Sequence, residues 1–152
     1  IGENENCNVR LVDCVGYLVP GAMGHMEGEQ ARMVRTPWFD EDIPFEEAAE
    51  IGTRKVITEH STIGLVVTTD GTITEIAREN YIEAEARVIK EMQATGRAFV
   101  VIVNSTNPEG EAAQTVRVML EERYQVSAIC MDVMKMNAQE ANNERHQLRK
   151  LH

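Results

Sequence analysis

The sequence contains no apolar run near the ~20 residues that a membrane-spanning helix needs, and its first residues carry neither the basic flank nor the apolar core of a signal peptide. Its three cysteines, Cys7, Cys14 and Cys130, show no spacing typical of a disulfide framework or a zinc site. The chain has 15 Lys and Arg residues and 25 Asp and Glu residues, so its net charge is −10. A surface of this sign repels phosphates and anionic lipids. These absences predict a cytoplasmic domain without a transmembrane segment and without a nucleic-acid partner.

The phosphate-binding loop Gly-x-x-x-x-Gly-Lys-Ser/Thr is also absent from the sequence. In enzymes that hydrolyse nucleoside triphosphates, the backbone N–H groups and the lysine of this loop hold the phosphates. Any nucleotide site in the chain therefore lacks its main phosphate-binding element. Because the chain begins with Ile1 rather than methionine, we expect that an upstream part has been removed.

The sequence does contain a series of short β-branched runs, each of which predicts a strand. The two central runs are nearly continuous in apolar residues, which is typical of strands that are covered on both faces of a parallel sheet. Between the runs lie segments whose apolar residues recur at helical spacing. The alternation predicts an α/β fold with a mostly parallel sheet and helices on both faces. The predicted strands cover residues 9–14, 63–69, 98–104 and 126–131, and the predicted helices cover residues 45–56, 81–92 and 113–120.

Two segments depart from this alternation. Residues 17–43 form a connection far longer than the ~2–6 residues usual in such folds, so we expect this segment to be functional or mobile. The polar residues 137–152 predict a surface helix or a disordered tail. We therefore divide the chain into a domain over residues 1–136 and a polar tail over residues 137–152.

Asp13 ends the first predicted strand, and Gly16 follows three residues later. In open parallel sheets, ligands bind at the carboxyl ends of the strands. A carboxylate at such an end can hold Mg2+, usually through water, while the backbone N–H of the glycine meets a terminal phosphate. The same short pattern also fits a plain turn after a strand. On spacing alone, both interpretations of Asp13 and Gly16 stay open.

A second polar group begins at Asn104, at the end of the third predicted strand, where guanine-specific enzymes carry Asn-Lys-x-Asp. Ser105 replaces the lysine, and Asn107 replaces the aspartate whose carboxylate would accept hydrogen bonds from the guanine N1–H and amino groups. Guanine specificity is therefore disfavoured, and an ordinary turn is the alternative interpretation. Asp70 and Gly71 follow the preceding strand and predict a tight turn, with a role in the site left open.

Three longer segments are VRLVDCVGYLVPGA from Val9, TPWFDEDIPFEEAAEIGTRKVITEHSTIGLVVTTDGTI from Thr36 and VIVNSTNPEGE from Val101. They resemble the N-terminal ATPase domain of the stage IV sporulation protein A family of endospore-forming bacteria. The resemblance extends from about Val9 to Met134. It implies a Ras-like P-loop NTPase fold whose first strands are missing here, and a change of nucleotide from GTP to ATP.

For the site, the resemblance implies that Asp13 is the Walker B type aspartate, which binds Mg2+ through water, and that Gly16 is its partner glycine. It implies that Asn104, Ser105 and Asn107 belong to a degenerate base-recognition motif. The cofactors are then ATP and Mg2+. The family uses ATP hydrolysis to assemble into the basement layer of the spore coat, on the mother-cell side of the forespore surface. The implied partners are further copies of the protein, a small amphipathic membrane-bound peptide and other coat proteins.

Three hypotheses follow for the function. The first is a fragment of a spore-coat morphogenetic ATPase, inactive by itself because it lacks the phosphate-binding loop. The second is a catalytically inactive Ras-like module for interaction and assembly. The third is a guanine-specific switch GTPase, which Ser105 and Asn107 disfavour. In a Ras-like sheet the missing strand is central, between the strands that end at Asp13 and Thr69, so we expect exposed strand edges and a fragment of marginal stability.

Overall fold

A three-stranded parallel sheet forms the centre of the structure, a computed structural model that describes residues 10–135. A π-helical turn, Val56–His60, continues the first α-helix, and a 3-10 turn, Arg78–Tyr81, precedes the second. In chain order the strands are β1 (Met26–Glu27), β2 (Gln30–Ala31), β3 (Met33–Val34), β4 (Ile43–Pro44), β5 (Gly64–Thr69), β6 (Phe99–Asn104) and β7 (Ala128–Met131), and the α-helices are α1 (Phe45–Lys55), α2 (Ile82–Thr95) and α3 (Glu111–Tyr124).

The sheet has the order β5-β6-β7, and both neighbouring pairs are parallel. Helix α2 connects β5 to β6 and α3 connects β6 to β7, as parallel strands require a long crossover. The predicted strands over residues 63–69, 98–104 and 126–131 are therefore confirmed, as are the three predicted helices. Helix α2 ends at Gly96 with φ 66°, a left-handed conformation that glycine adopts without steric cost.

Helices α2 and α3 pack on one face of the sheet. Ile89 of α2 and Leu120 of α3 are completely buried, together with Val101 and Val103 of β6. Burial of one such side chain contributes about 1.5–3 kcal/mol. None of the described helices is long and apolar enough to cross a membrane.

The first predicted strand is wrong for residues 10–14, which form no strand in the structure. Leu11 is 83% exposed and Val12 is 47% exposed. A strand is stable when a neighbour accepts and donates its backbone hydrogen bonds. Among the described residues the sheet ends at β5. A Ras-like sheet would place one more strand between β5 and residues 9–14, and the described residues do not form that strand. Val9 and the predicted tail over residues 137–152 lie outside the described residues.

Strands β5 and β6 differ in burial. Val100–Val103 of β6 are all buried, which confirms the predicted cover on both faces. In β5, however, Leu65 is 53% exposed and Val67 is 60% exposed, so the same prediction is wrong there. The position in the sheet explains the difference, because β6 is central and β5 is an edge strand. Since α2 and α3 share one face, the predicted helices on the other face stay a prediction.

The long connection over residues 17–43 contains two short antiparallel ladders, β1 with β2 and β3 with β4. Its Trp38 packs on α1. The indole Cη2 lies 3.6 Å from the position that a Cβ at Gly52 would take. The connection therefore has local structure and contacts a helix that borders the core. Whether the connection is functional or mobile stays a prediction.

A methyl group at position 64 is expected to destabilise the protein. The Cβ of Gly64→Ala would lie 2.1 Å from Met92 Cε and 3.0 Å from Phe99 Cβ. We expect the free energy of unfolding to fall by about 1–3 kcal/mol, the usual cost of overpacking, measured by urea unfolding followed by circular dichroism.

Gly52→Ala is the matched control for this substitution. It lies inside α1, and its added Cβ makes only an ordinary contact with Trp38 at 3.6 Å. Alanine is better than glycine in a helix by about 1 kcal/mol, so the urea midpoint should rise. A midpoint that falls equally in both variants would show that crowding against Met92 is not the cause.

Candidate functional site

The loops after β5, β6 and β7 begin at the same edge of the sheet. Thr69 of β5 pairs with Asn104 of β6, and Asn104 pairs with Met131 of β7. All three strands are parallel, so this edge carries their carboxyl ends. Ligands of open parallel sheets bind at such an edge.

The carboxylate of Asp70 joins the loop after β5 to the loop after β6. Ser105 Oγ donates to Asp70 Oδ2 at 2.6 Å, and Thr72 donates to Asp70 Oδ1 through its hydroxyl at 2.6 Å and its backbone N–H at 3.0 Å. The two hydroxyls in turn accept backbone N–H groups, because Thr106 N lies 3.0 Å from Thr72 Oγ1 and Asn107 N lies 3.0 Å from Ser105 Oγ. The predicted motif residues Ser105 and Asn107 are therefore held together by Asp70.

Asp70 is ionised in this arrangement. Partial burial opposes its charge, but the hydrogen bonds from Ser105 and Thr72 outweigh the burial and hold the pKa of the carboxyl below its usual value. The bonds thus favour the charged form, which can only accept hydrogen bonds.

The third loop, after β7, is fixed to the same edge by Asn104. The side-chain carbonyl of Asn104 accepts the N–H of Val133 at 3.0 Å, and the N–H of Ser105 donates to the carbonyl of Met131 at 2.9 Å. Asp132 caps this loop by accepting the N–H of Met134 at 3.1 Å. The structure therefore brings Asn104, Ser105 and the backbone of Asn107 into one network.

The N–H of Gly16 is bonded to α1, and the described hydrogen bonds connect neither Asp13 nor Gly16 to this network. Asp13 is exposed, and its Oδ1 accepts the N–H of Cys14 at 2.9 Å. Gly16 has φ 81°, and its N–H donates to Thr53 Oγ1 at 3.0 Å. Thr53 is only 2% exposed. The N–H that the resemblance assigns to a terminal phosphate is therefore bound to a buried hydroxyl in this structure.

Tyr17 fixes the same segment to α2. Its hydroxyl donates to Glu91, and its ring lies 3.9 Å from the guanidinium carbon of Arg87. Arg87 forms two bonds with Glu50 of α1, at 2.6 and 3.0 Å. Burial and then the bond to Glu91 raise the pKa of Tyr17 to about 12, so at neutral pH its hydroxyl remains a donor.

Replacing Thr53 by valine should release the Gly16 amide. Valine keeps the shape of the side chain and removes the hydroxyl that accepts this N–H. We expect hydrogen exchange at Gly16 to become about 2- to 10-fold faster, the equivalent of one net hydrogen bond, measured by NMR. Thr58→Val is the control, because that exposed hydroxyl bonds to Arg54 O within its own helical segment at 2.8 Å. Unchanged exchange at Gly16 would contradict the role of Thr53.

The described residues contain no group of three or more His, Cys, Asp or Glu side chains that could hold a metal ion. Mg2+ does not require such a group, because it is often bound by one or two carboxylates with water and substrate phosphates. The exposed carboxylate of Asp13 suits a contact of this kind. Asp13 thus fits the metal role that the resemblance implies, and the role itself stays a prediction.

The sequence left a role for Asp70 in the site open, because an Asp-Gly pair after a strand predicts a turn. The bond from Ser105 to Asp70 spans 35 positions, so no local pattern could decide that role. Sequence reasoning missed Thr53. Thr53 contacts Gly16 across 37 positions and carried no local signal.

A parallel sheet with helical crossovers and polar loops at its carboxyl edge is compatible with a P-loop NTPase-like fold. Residues 1–149 match the family model described as Stage IV sporulation protein A, ATPase domain. The chain belongs to this family, which confirms the resemblance seen in the sequence. No solved structure matches the chain.

Three curated relatives are each named Stage IV sporulation protein A. The Bacillus subtilis (strain 168) protein is 52% identical over 136 residues, which are 90% of this chain and 28% of that protein. The Bacillus anthracis protein is 50% identical over 143 residues, 94% of this chain and 29% of that protein. The Clostridioides difficile (strain 630) protein is 48% identical over 140 residues, 92% of this chain and 28% of that protein. The chain thus spans less than a third of the length of these relatives.

Proposed function

We propose that this chain is part of the Ras-like ATPase domain of a spore-coat morphogenetic protein, whose ATP hydrolysis drives self-assembly into the basement layer of the coat. The observation that carries this proposal is the match of residues 1–149 to the ATPase domain of the sporulation family. The polar network at the carboxyl edge of the parallel sheet supports it, because nucleotides bind at that edge in such folds.

Within this proposal, Asp13 binds Mg2+ through water, and Gly16 donates its N–H to the terminal phosphate of ATP. The bound Mg2+ neutralises charge on the phosphates. Gly16 must leave Thr53 to make this contact, since its N–H donates to Thr53 Oγ1 at 3.0 Å in the structure. The segment after Gly16 is then a switch that changes position with the nucleotide.

The loop from Asn104 to Asn107 faces the base. This loop contains no carboxylate to accept hydrogen bonds from the guanine N1–H and amino groups, and the amide of Asn107 replaces such a carboxylate only in part. The sequence of the loop therefore supports ATP over GTP. Further copies of the protein, a small amphipathic membrane-bound peptide and other coat proteins are the proposed partners, on the mother-cell side of the forespore surface. This chain alone does not bind nucleotide, because its sequence lacks the phosphate-binding loop.

A second candidate is a catalytically inactive assembly module with the same fold. The bond between the Gly16 N–H and Thr53 favours it, because this amide already has a partner within the chain. The DNA upstream of the codon for Ile1 distinguishes the two candidates. If it encodes Gly-x-x-x-x-Gly-Lys-Ser/Thr within about a hundred codons, the ATPase is supported and the inactive module is disfavoured.

Nucleotide binding to the full-length protein tests the proposal. In isothermal titration with Mg2+, ATP should bind, and GTP should compete with it poorly. Equal competition by GTP would favour the guanine-specific switch, and no binding of either nucleotide would favour the inactive module. The 152-residue chain is the negative control, and micromolar ATP binding to it would contradict the proposed need for an external phosphate-binding loop.

A further inference from the structure

The serine that replaces the lysine of the guanine-specific motif has a defined structural role. Ser105 is completely buried, and its hydroxyl is bonded on both sides, to Asp70 at 2.6 Å and to the N–H of Asn107 at 3.0 Å. A lysine side chain would have to place its charge in this buried position. Ser105 is therefore part of a built network that depends on Asp70.

The polarity of this network is fixed by the charge of Asp70. An ionised carboxylate only accepts hydrogen bonds, so the hydroxyls of Ser105 and Thr72 must donate their single protons to it. Their lone pairs are then free to accept the N–H groups of Asn107 and Thr106. One carboxylate thereby orients two consecutive backbone amides of the next loop through two short relays.

Each branch of the network acts on a different amide. The Thr72 branch ends on the N–H of Thr106, and the Ser105 branch ends on the N–H of Asn107. Both oxygens of Asp70 are occupied by these branches, Oδ1 by Thr72 and Oδ2 by Ser105. Asp70 is therefore placed to support the loop.

We propose that Asp70 is the positioning residue of the base-recognition loop, and that its carboxylate sets the backbone of Thr106 and Asn107 in the orientation that binds adenine nucleotide. The nucleotide part of this proposal rests on the function proposed above. The structural part does not, because the network consists of contacts within this chain.

The structural part is tested by hydrogen exchange without nucleotide. In Asp70→Asn, the amide can accept from one hydroxyl but presents N–H groups on its other side, so at least one hydroxyl loses its acceptor, and both branches lose the charge of the carboxylate that orients them. We expect the Thr106 or Asn107 amide to exchange about 10-fold faster in NMR experiments. Asp132→Asn is the matched control, because Asp132 caps the next loop in the same way, and its described bonds go to Met134 and Lys135. Exchange that is unchanged at both amides in Asp70→Asn overturns the proposal.

Thr72→Val keeps the test decisive if Asp70→Asn does not fold. Thr72 is exposed, and its hydroxyl carries only the branch to Thr106. We expect faster exchange at Thr106 and unchanged exchange at Asn107. Equal acceleration at both amides, or none at Thr106, overturns the two-branch arrangement.

The nucleotide part is tested on the full-length protein. In full-length Asp70→Asn, the base loop should lose its orientation. We expect the affinities for ATP and ADP to fall equally, by about 10-fold, while turnover at saturating ATP changes by less than about 2-fold. Glu122→Gln, at an exposed position of α3, is the control and should bind as wild type. An unchanged affinity with accelerated exchange overturns the nucleotide role of Asp70. If the wild-type protein binds no nucleotide, the proposed function fails, and the exchange experiment still decides whether Asp70 holds the loop.

Discussion

Replacing Glu85 by alanine is expected to lower the free energy of unfolding by about 3–5 kcal/mol, the cost of breaking a buried ion pair on one side. Glu85 is 4% exposed, and it accepts Thr68 Oγ1 at 2.6 Å and Arg78 Nη2 at 2.8 Å. Alanine would leave the mostly buried guanidinium of Arg78 without its counter-charge. It would also leave the hydroxyl of Thr68, which is 6% exposed, without its acceptor. The loss therefore combines an unpaired charge with an unsatisfied hydroxyl.

Urea unfolding followed by circular dichroism measures this loss. Glu83→Ala is the matched control, because Glu83 lies in the first turn of the same helix and is exposed. Removing it costs at most about 1 kcal/mol, from its interaction with the helix dipole. Equal midpoints for the Glu83 and Glu85 variants would contradict the importance of Glu85, which pairs with Arg78 and joins α2 to β5 through its bond to Thr68.

The central part of the fold could be predicted from the sequence because its signals are local. Strand β6 is an apolar run with burial on both faces, and α2 has helical spacing that ends at Gly96. The parallel order of β5, β6 and β7 follows from the helices between them. Each of these features is specified by residues that are close together in the chain.

The features that could not be predicted depend on partners far away in the chain or outside the described residues. Residues 10–14 have the composition of a strand, yet among the described residues none pairs with them. Leu65 and Val67 are exposed for the same reason, since β5 is an edge strand. The contact between Tyr17 and Glu91 joins residues 74 positions apart, and no periodicity signals such a contact.

The candidate site divides in the same way. The predicted residues Asn104, Ser105 and Asn107 form one network because strand register brings their loop beside Asp70. The predicted residue Asp13 lies in a segment that forms no strand, and the N–H of Gly16 is bonded to Thr53 of α1. Their joint action on Mg2+ and phosphate therefore stays a prediction.

Replacing Asp13 by asparagine is expected to lower the rate of Mg-ATP hydrolysis by the full-length protein at least about 100-fold. Asparagine has the same size but lacks the charge that holds Mg2+ and its water. Asp13 is exposed and supports no buried contact, so the fold should keep its stability. Unfolding by urea should therefore give the wild-type midpoint, which separates a loss of chemistry from a loss of structure.

The most direct test of the proposed ATPase is the steady-state rate of phosphate release from Mg-ATP by three full-length proteins: wild type, Asp13→Asn, and Glu122→Gln as an exposed control in α3. We expect hydrolysis by the wild type and the Glu122 variant, and a rate at least about 100-fold lower for the Asp13 variant. Equal rates in all three proteins would contradict the assignment of Asp13 to the metal site. No hydrolysis by the wild type would contradict the proposed ATPase.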